Sequence, residues 1–296
     1  MPKGISRRDF LRTTARAGVA AGLAGTSFLK ASPQGTYDLV IRNARVCDGT
    51  GAEAVPSDIG IRGERIAHIG SLNGARARRI LDAEGHVASP GFIDIHTHSD
   101  LELLVNPRGE SKIHQGVTTE LTGNCGSSAF PIRLPLSDEE KAMAERLNLK
   151  IEWTDLSGYH AALSRKGTAV NLGTLIGNGT LRHVVVGDVD REPSDAEMEE
   201  MKTHVARAME QGAFGLSTGL EYTPSGFAST DEVIALCRVV ARYGGFYATH
   251  MRSEDKSVIE AVAEAIHIAE AAGLPLQISH FKAVGRPNWW KLPMMI

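Results

Sequence analysis

The sequence predicts an α/β protein: an incomplete (β/α)8 barrel of the TIM type, with about six of its eight strands, beside a small N-terminal β-sandwich portion. Three observations carry this. From residue 90 onward, short apolar runs alternate with helical patterns, the rhythm of parallel strands joined by helical crossovers. Polar residues gather just past the C-terminal ends of those runs, where a barrel collects them more readily than an open sheet. Before residue 90 the runs are short and strand-like, parted by glycine and aspartate turns.

Composition sets the outer limits. Of 296 residues, 42% are hydrophobic and 23% charged, ordinary values for a globular chain of one large domain or one and a half. A net charge of -3 offers no basic face for nucleic acid and no acidic excess that signals disorder. Three cysteines, Cys47, Cys125 and Cys237, are too few and too odd for a disulfide framework. Cys237 sits in an apolar helical run and Cys47 at a strand-to-turn passage, so both read as structural.

In chain order, residues 1–35 read as a segment outside the fold. Arg7 and Arg8 precede Phe10 and Leu11, and an Ala/Gly-rich run follows over 17–29. That run is too short to span a bilayer comfortably, so no stable membrane span is expected. The pattern resembles a twin-arginine signal, which implies passage through the twin-arginine export machinery to the periplasm or beyond.

Residues 36–90 form the small β portion. A strand over 37–46 stops at Asp48-Gly49-Thr50-Gly51. Two more, over 58–62 and 65–69, flank Gly63-Glu64, a hairpin signal with glycine at the first turn position. Residues 91–296 form the barrel, with strands expected over 91–95, 117–121, 169–176, 214–217, 246–249 and 276–279. Ser137 with Glu140, Ser194 with Glu197, and Ser229 with Glu232 each have the spacing of a capping box that opens a helix. Met198, Met201, Val205 and Met209 recur at helical spacing and read as one buried stripe.

Five metal-ligand side chains fall at strand ends. The first strand ends Asp94-Ile95-His96-Thr97-His98, and in an extended strand residues two apart face the same way. His96 and His98 can therefore grip one metal. The second strand ends Gly123-Asn124-Cys125-Gly126, where glycines on both sides let a thiolate approach a zinc ion. Taken alone, this cysteine reads better as buried and inert. The fifth strand ends in His250 and the sixth in His280. A lone histidine at such a place is more often structural, but a barrel would bring all five to one mouth. Asp100 is either a partner that orients a ligand histidine or a plain strand-end residue. The other histidines read as surface or structural.

The ordered set of motifs is recognisable. Ser89-Pro90-Gly91-Phe92-Ile93-Asp94-Ile95-His96-Thr97-His98 resembles the first-strand signature of the amidohydrolase superfamily. Gly123-Asn124-Cys125-Gly126, Gly215-Leu216-Ser217-Thr218-Gly219-Leu220-Glu221-Tyr222-Thr223-Pro224, Thr249-His250-Met251-Arg252-Ser253-Glu254 and Ile278-Ser279-His280-Phe281-Lys282 narrow it. Together they resemble the D-aminoacylase (N-acyl-D-amino-acid deacylase) family, from about residue 37 to the end.

The resemblance implies a zinc-dependent hydrolase of linear amides acting on a small-molecule N-acyl-D-amino acid. It implies that Cys125, His250 and His280 hold the tight zinc, with His96 and His98 at a looser neighbouring position that Cys125 can bridge. It implies that Tyr222 and Lys282 touch the substrate's amino-acid part, although Lys282 also reads as a plain solvated lysine. Arg252 and Glu254 read as orienting loops or the groups behind the ligands, with no catalytic role. The fourth strand ends Thr218-Gly219-Leu220-Glu221 and lacks the metal-bridging lysine of hydantoinase-like relatives. No catalytic proton carrier is identified, because the family places an aspartate at the end of an eighth strand. The chain is therefore expected to be a fragment that binds zinc poorly and turns nothing over by itself. Two other readings stand beside this one: an amidohydrolase of a different linear amide or dipeptide, and a non-catalytic zinc-binding remnant.

Overall fold

The computed structural model describes residues 36–296. The expected signal segment, 1–35, lies outside the described residues. The chain divides into two compact units, Met1–Gly91 and Phe92–Ile296.

The described part of the first unit is one mixed five-stranded sheet. Strand β1 (Tyr37–Val46) pairs antiparallel with β2 (Val55–Arg62), which pairs antiparallel with β3 (Arg65–Gly70). On its other edge β1 runs parallel to β4 (Ala77–Asp82) and then β5 (Val87–Ala88). The β2–β3 turn closes at Gly63, whose positive φ is the conformation the hairpin signal requires. Tyr37, Val40, Leu72 and Ala75 form a small buried cluster, and Ala44, Val46 and Ile59 form another.

The second unit is built from parallel strands in chain order. Strand β6 (Phe92–Asp94) is followed by two short helices, α1 (Glu102–Val105) and α2 (Glu110–Ile113). Strand β7 (Val117–Thr122) leads to α3 (Asp138–Arg146) and α4 (Leu156–Lys166). Strands β8 (Asn171–Thr174) and β9 (Ile176–Gly177) precede α5 (Asn178–Val185) and α6 (Asp195–Glu210). Then come β10 (Gly215–Gly219), α7 (Thr230–Arg242), β11 (Phe246–His250), α8 (Val258–Ala272) and β12 (Leu276–Ile278). The pairing order is β6-β7-β8 in one sheet and β9-β10-β11-β12 in the other, all parallel. This is a partial barrel.

The strand expected over 169–176 is divided at Leu175. Strand β8 pairs with β7 and β9 pairs with β10, so Leu175 marks where the chain changes partners. Its N–H still donates to Thr122 O at 2.9 Å.

The helices pack as their sequences require. Met201, Val205 and Met209 of α6 are buried in the main core with Leu216, Leu236, Val240 and Tyr247, and Met198 packs against its rim. Cys237 is fully buried there. Ser137 and Ser194 complete reciprocal capping boxes with Glu140 and Glu197. The third box is only half made. Ser229 accepts from the Glu232 N–H, but the Glu232 carboxylate turns inward to the buried Arg182 guanidinium and to Asn178. A fully buried arginine demands a carboxylate more strongly than a helix end does, because an unpaired buried charge is the costlier loss.

Candidate metal centre

The donors meet at the C-terminal ends of the strands. Cys125 Sγ lies 3.5 Å from His96 Nε2, 3.6 Å from His280 Nε2 and 4.0 Å from His250 Nδ1. His250 Nδ1 and His280 Nε2 are 3.0 Å apart. Two overlapping three-donor groups result, His96–Cys125–His280 and His250–Glu254–His280. Tetrahedral zinc with bonds of about 2.3 Å to sulfur and about 2.05 Å to nitrogen separates an S–N donor pair by about 3.5 Å. The cysteine–histidine distances therefore fit a zinc ion, and so does the mixed sulfur–nitrogen chemistry. His98 stands at the rim. Its ring centroid is 5.3 Å from that of His96, and it belongs to neither group.

The cysteine is held by a strained and tightly braced turn. Cys125 has a φ of 51°, in the left-handed region, between Gly123 and Gly126. A Cβ on Gly123 would stand 2.1 Å from Leu175 O, and one on Gly219 would stand 2.2 Å from Cys125 O. No larger residue fits at either position without moving the backbone. One buried hydroxyl fastens both ends of the turn: Ser217 Oγ accepts from Gly126 N at 3.0 Å and donates to Gly123 O at 2.5 Å. Asp100 accepts from Gly123 N at 2.9 Å. Asp100 thus braces the thiol's loop rather than a histidine, and its burial pushes its carboxyl up to about 7.

Carboxylates back the two histidines of the inner site. His250 Nε2 meets Glu221 Oε2 at 2.8 Å, which leaves Nδ1 to face the centre. His280 Nδ1 lies 2.7 Å from Glu254 Oε1, off the line of a good hydrogen bond, which leaves Nε2 to face the centre. Glu254 is nearly buried and also holds Lys282 Nζ. Lys282 Nζ is 3.1 Å from His280 Nδ1, so its charge is already shared with Glu254. Tyr222 hangs at the mouth, its hydroxyl 3.4 Å from His250 Nδ1. Arg252 clamps Gly226 O and Ala228 O to Glu264 of α8 and so fixes the loop beyond Tyr222.

On the first-strand side, Asp94 Oδ1 accepts from His96 N at 3.2 Å. Lys112 ties Asp94 Oδ2 at 2.6 Å to Thr97 Oγ1 at 3.1 Å. The residue between the two histidines is thereby pinned.

Burial acts on the donors in two directions. Burial, then the neighbouring Glu254 charge, push the Cys125 thiol up to about 11, with Lys282 opposing. Burial, then the nearby His280 and His98 rings, hold His96 down at about 4. Burial also lowers His280, with Glu254 opposing. The lowered His96 and His280 favour the neutral ring that a metal takes, whereas the raised thiol would need a divalent cation to draw it into its anionic form.

A cavity of about 740 Å³ opens from the cluster. His98, Cys125, Tyr222, His250 and His280 are among the residues that line it. His183, read from the sequence as surface or structural, also lines it, its Nδ1 2.9 Å from Asp188.

Sequence reasoning undervalued Glu221 and Glu254. It took Glu221 only as evidence of a missing lysine and gave Glu254 a general orienting part. Their signal was position: Glu221 adjoins Tyr222, and Glu254 follows His250 by four residues.

A partial (β/α)8 barrel with sulfur and nitrogen donors at the C-terminal ends of its strands defines a class, the barrel proteins that hold a catalytic metal at that face. Residues 79–294 match the amidohydrolase family, and the chain belongs to it. It is 38% identical over 258 residues to a D-aminoacylase of Alcaligenes xylosoxydans xylosoxydans, covering 86% of this chain and 52% of that protein. It is 39% identical over 258 residues to an N-acyl-D-glutamate deacylase of the same organism, covering 87% and 52%. Among solved structures it is similar to an N-acyl-D-glutamate deacylase from Bordetella bronchiseptica complexed with zinc and a phosphonate inhibitor. That match has 36% identity and a TM-score of 0.82, and covers 88% of this chain and 55% of that one. The chain spans about half the length of the curated relatives it matches.

Proposed function

We propose that the whole protein is a zinc-dependent hydrolase of the amide bond in N-acyl-D-amino acids, releasing a carboxylate and a D-amino acid. The observation that carries this is the convergence of Cys125, His250 and His280 within 3.0–4.0 Å of one another at the strand ends. In this reading those three hold the tight zinc. His96 and His98 line a looser neighbouring position, and Cys125 faces both. The D preference rests on similarity to relatives that act on D substrates.

Zinc bound there would supply a hydroxide near neutral pH and polarise the amide carbonyl. The chain's own residues set the stage. Glu221 and Glu254 fix which ring nitrogen of His250 and His280 faces the centre. Tyr222 meets the substrate at the mouth, and a substrate carboxylate would share the Lys282 ammonium with Glu254. The proton carrier is assigned to no residue of this chain, and residues 1–296 by themselves are proposed not to turn substrate over.

The test is zinc content by elemental analysis, with hydrolysis measured on N-acyl-D-, N-acyl-L- and cyclic amide substrates. The full-length protein is expected to carry zinc and to cleave the D series. Cleavage confined to the cyclic amides, or undiminished activity after Cys125→Ala, would sink the reading. The N-terminal segment is proposed to direct twin-arginine export. Replacing Arg7 and Arg8 with lysines in a reporter fusion is expected to hold the protein in the cytoplasm.

A further inference from the structure

The loop that follows β10 carries two side chains of the centre, Glu221 against His250 and Tyr222 at the mouth. It leaves the strand at Gly219 and is closed by one buried hydroxyl, for Ser225 Oγ accepts from Gly219 N at 3.1 Å. Within it, Tyr222 N donates to Gly219 O at 2.8 Å, and Gly226 N donates to Tyr222 O at 2.6 Å. Ser225 is itself held. Its hydroxyl donates to Asn178 Oδ1 at 2.7 Å, and Asn178 Nδ2 donates to Glu232 Oε1 at 3.4 Å. Arg182 donates to the other Glu232 oxygen, and to Arg191 O at 2.7 Å. Asn178, Arg182, Ser225 and Glu232 are each at most 3% exposed.

This chain of bonds has one workable direction. A guanidinium only donates, and a carboxylate paired with it only accepts. Glu232 therefore takes the amide nitrogen of Asn178, which turns the Asn178 oxygen to Ser225. That oxygen takes the single Ser225 proton, and the hydroxyl oxygen is left to accept from Gly219 N. Turning the Asn178 amide round would set its oxygen against the Glu232 carboxylate, two buried acceptors with no proton between them. A charge pair between α5 and α7 thus decides the polarity of the bond that shuts the Glu221 loop.

We propose that Ser225 and Asn178 are positioning residues of the metal centre. Oriented by the buried Arg182–Glu232 pair, they lock the loop from Gly219 to Ser225 so that Glu221 holds the His250 ring with Nδ1 towards the metal. Both act through Glu221 and not on the donors themselves. This rests on the reading of His250 as a zinc ligand given above.

The experiment uses the full-length protein and measures zinc affinity by chelator competition. Ser225→Ala and Asn178→Ala cut the chain of bonds at two places, and each is expected to weaken zinc binding about tenfold. On a Glu221→Gln background the same changes are expected to add less than about twofold, because the group they act through is already cut. Ser137→Ala, which removes the α3 cap and none of these bonds, is expected to leave zinc affinity unchanged. In parallel, nitrogen NMR of the metal-free protein reads the His250 ring: its proton is expected on Nε2 in the parent and on either nitrogen in Ser225→Ala. Unchanged affinity in both single variants overturns the inference. Full additivity with Glu221→Gln overturns it too, since a merely structural loss would add in full. If the parent takes up no zinc, the zinc reading falls and the ring alone decides. A mixed tautomer in the variants then upholds the lock, and an Nε2 proton throughout overturns it.

Discussion

Ser217 bears the most weight of any residue outside the donor set. Its hydroxyl spans the turn that carries Cys125, accepting from Gly126 N and donating to Gly123 O. Ser217→Ala leaves a buried N–H and a buried carbonyl without that partner, which costs about 1–3 kcal/mol. The variant is expected to lose that much stability in denaturant unfolding and to bind zinc more weakly in a chelator competition. Glu221→Gln makes a separate prediction. It weakens the bond that fixes the His250 ring, and a lost backing carboxylate typically lowers metal affinity about 10–100-fold. An unchanged zinc affinity would remove Glu221 from that part. The convergence of His96, Cys125, His250 and His280 was legible in the sequence because each follows an apolar run at a strand end; His98 stands outside both donor groups. The Ser217 brace was not legible, because its hydroxyl reaches Gly123 and Gly126 through a tertiary contact that spacing does not encode.

At the scale of elements, the α6 N-terminus offers a pH probe. Glu197 closes the capping box on Ser194 and accepts from Arg191 at 2.6 and 2.8 Å. The Arg191 bonds, then those from Ser194, hold its carboxyl far below the usual range. A carboxyl depressed on folding adds stability above its unfolded value, about 4.3, and loses it as pH falls further. Acid unfolding of Glu197→Gln is therefore expected to show a shallower dependence on pH below about 4 than the parent chain. Identical slopes would contradict this. Two of the three capping boxes were readable from Ser-x-x-Glu alone. The third failed because Glu232 had a stronger claimant in Arg182, a residue 50 positions away. The split of the third strand at Leu175 was unreadable for a similar reason: a change of ladder partner leaves no mark on an apolar run.

At the scale of the whole molecule, the fold class followed from alternation of apolar runs and helical patterns, and the comparisons bear it out. The metal should add to the stability of the entire barrel unit, since its donors come from four separate strand ends. Zinc at a hundredfold excess over its dissociation constant contributes about 2.7 kcal/mol. That corresponds to a rise in Tm of roughly 5–10 °C, read by calorimetry with and without chelator, and Cys125→Ala should abolish it. The turn around the thiol has one further consequence. The Ser217 hydroxyl that closes it lies 91 and 94 positions downstream of the groups it joins, and the nitrogen donors lie 29, 125 and 155 positions from the sulfur. No short stretch of polypeptide holds these donors by itself; they meet only where distant segments of the chain close on one another. A bound ion would therefore report the closure of the whole barrel unit rather than of any single segment.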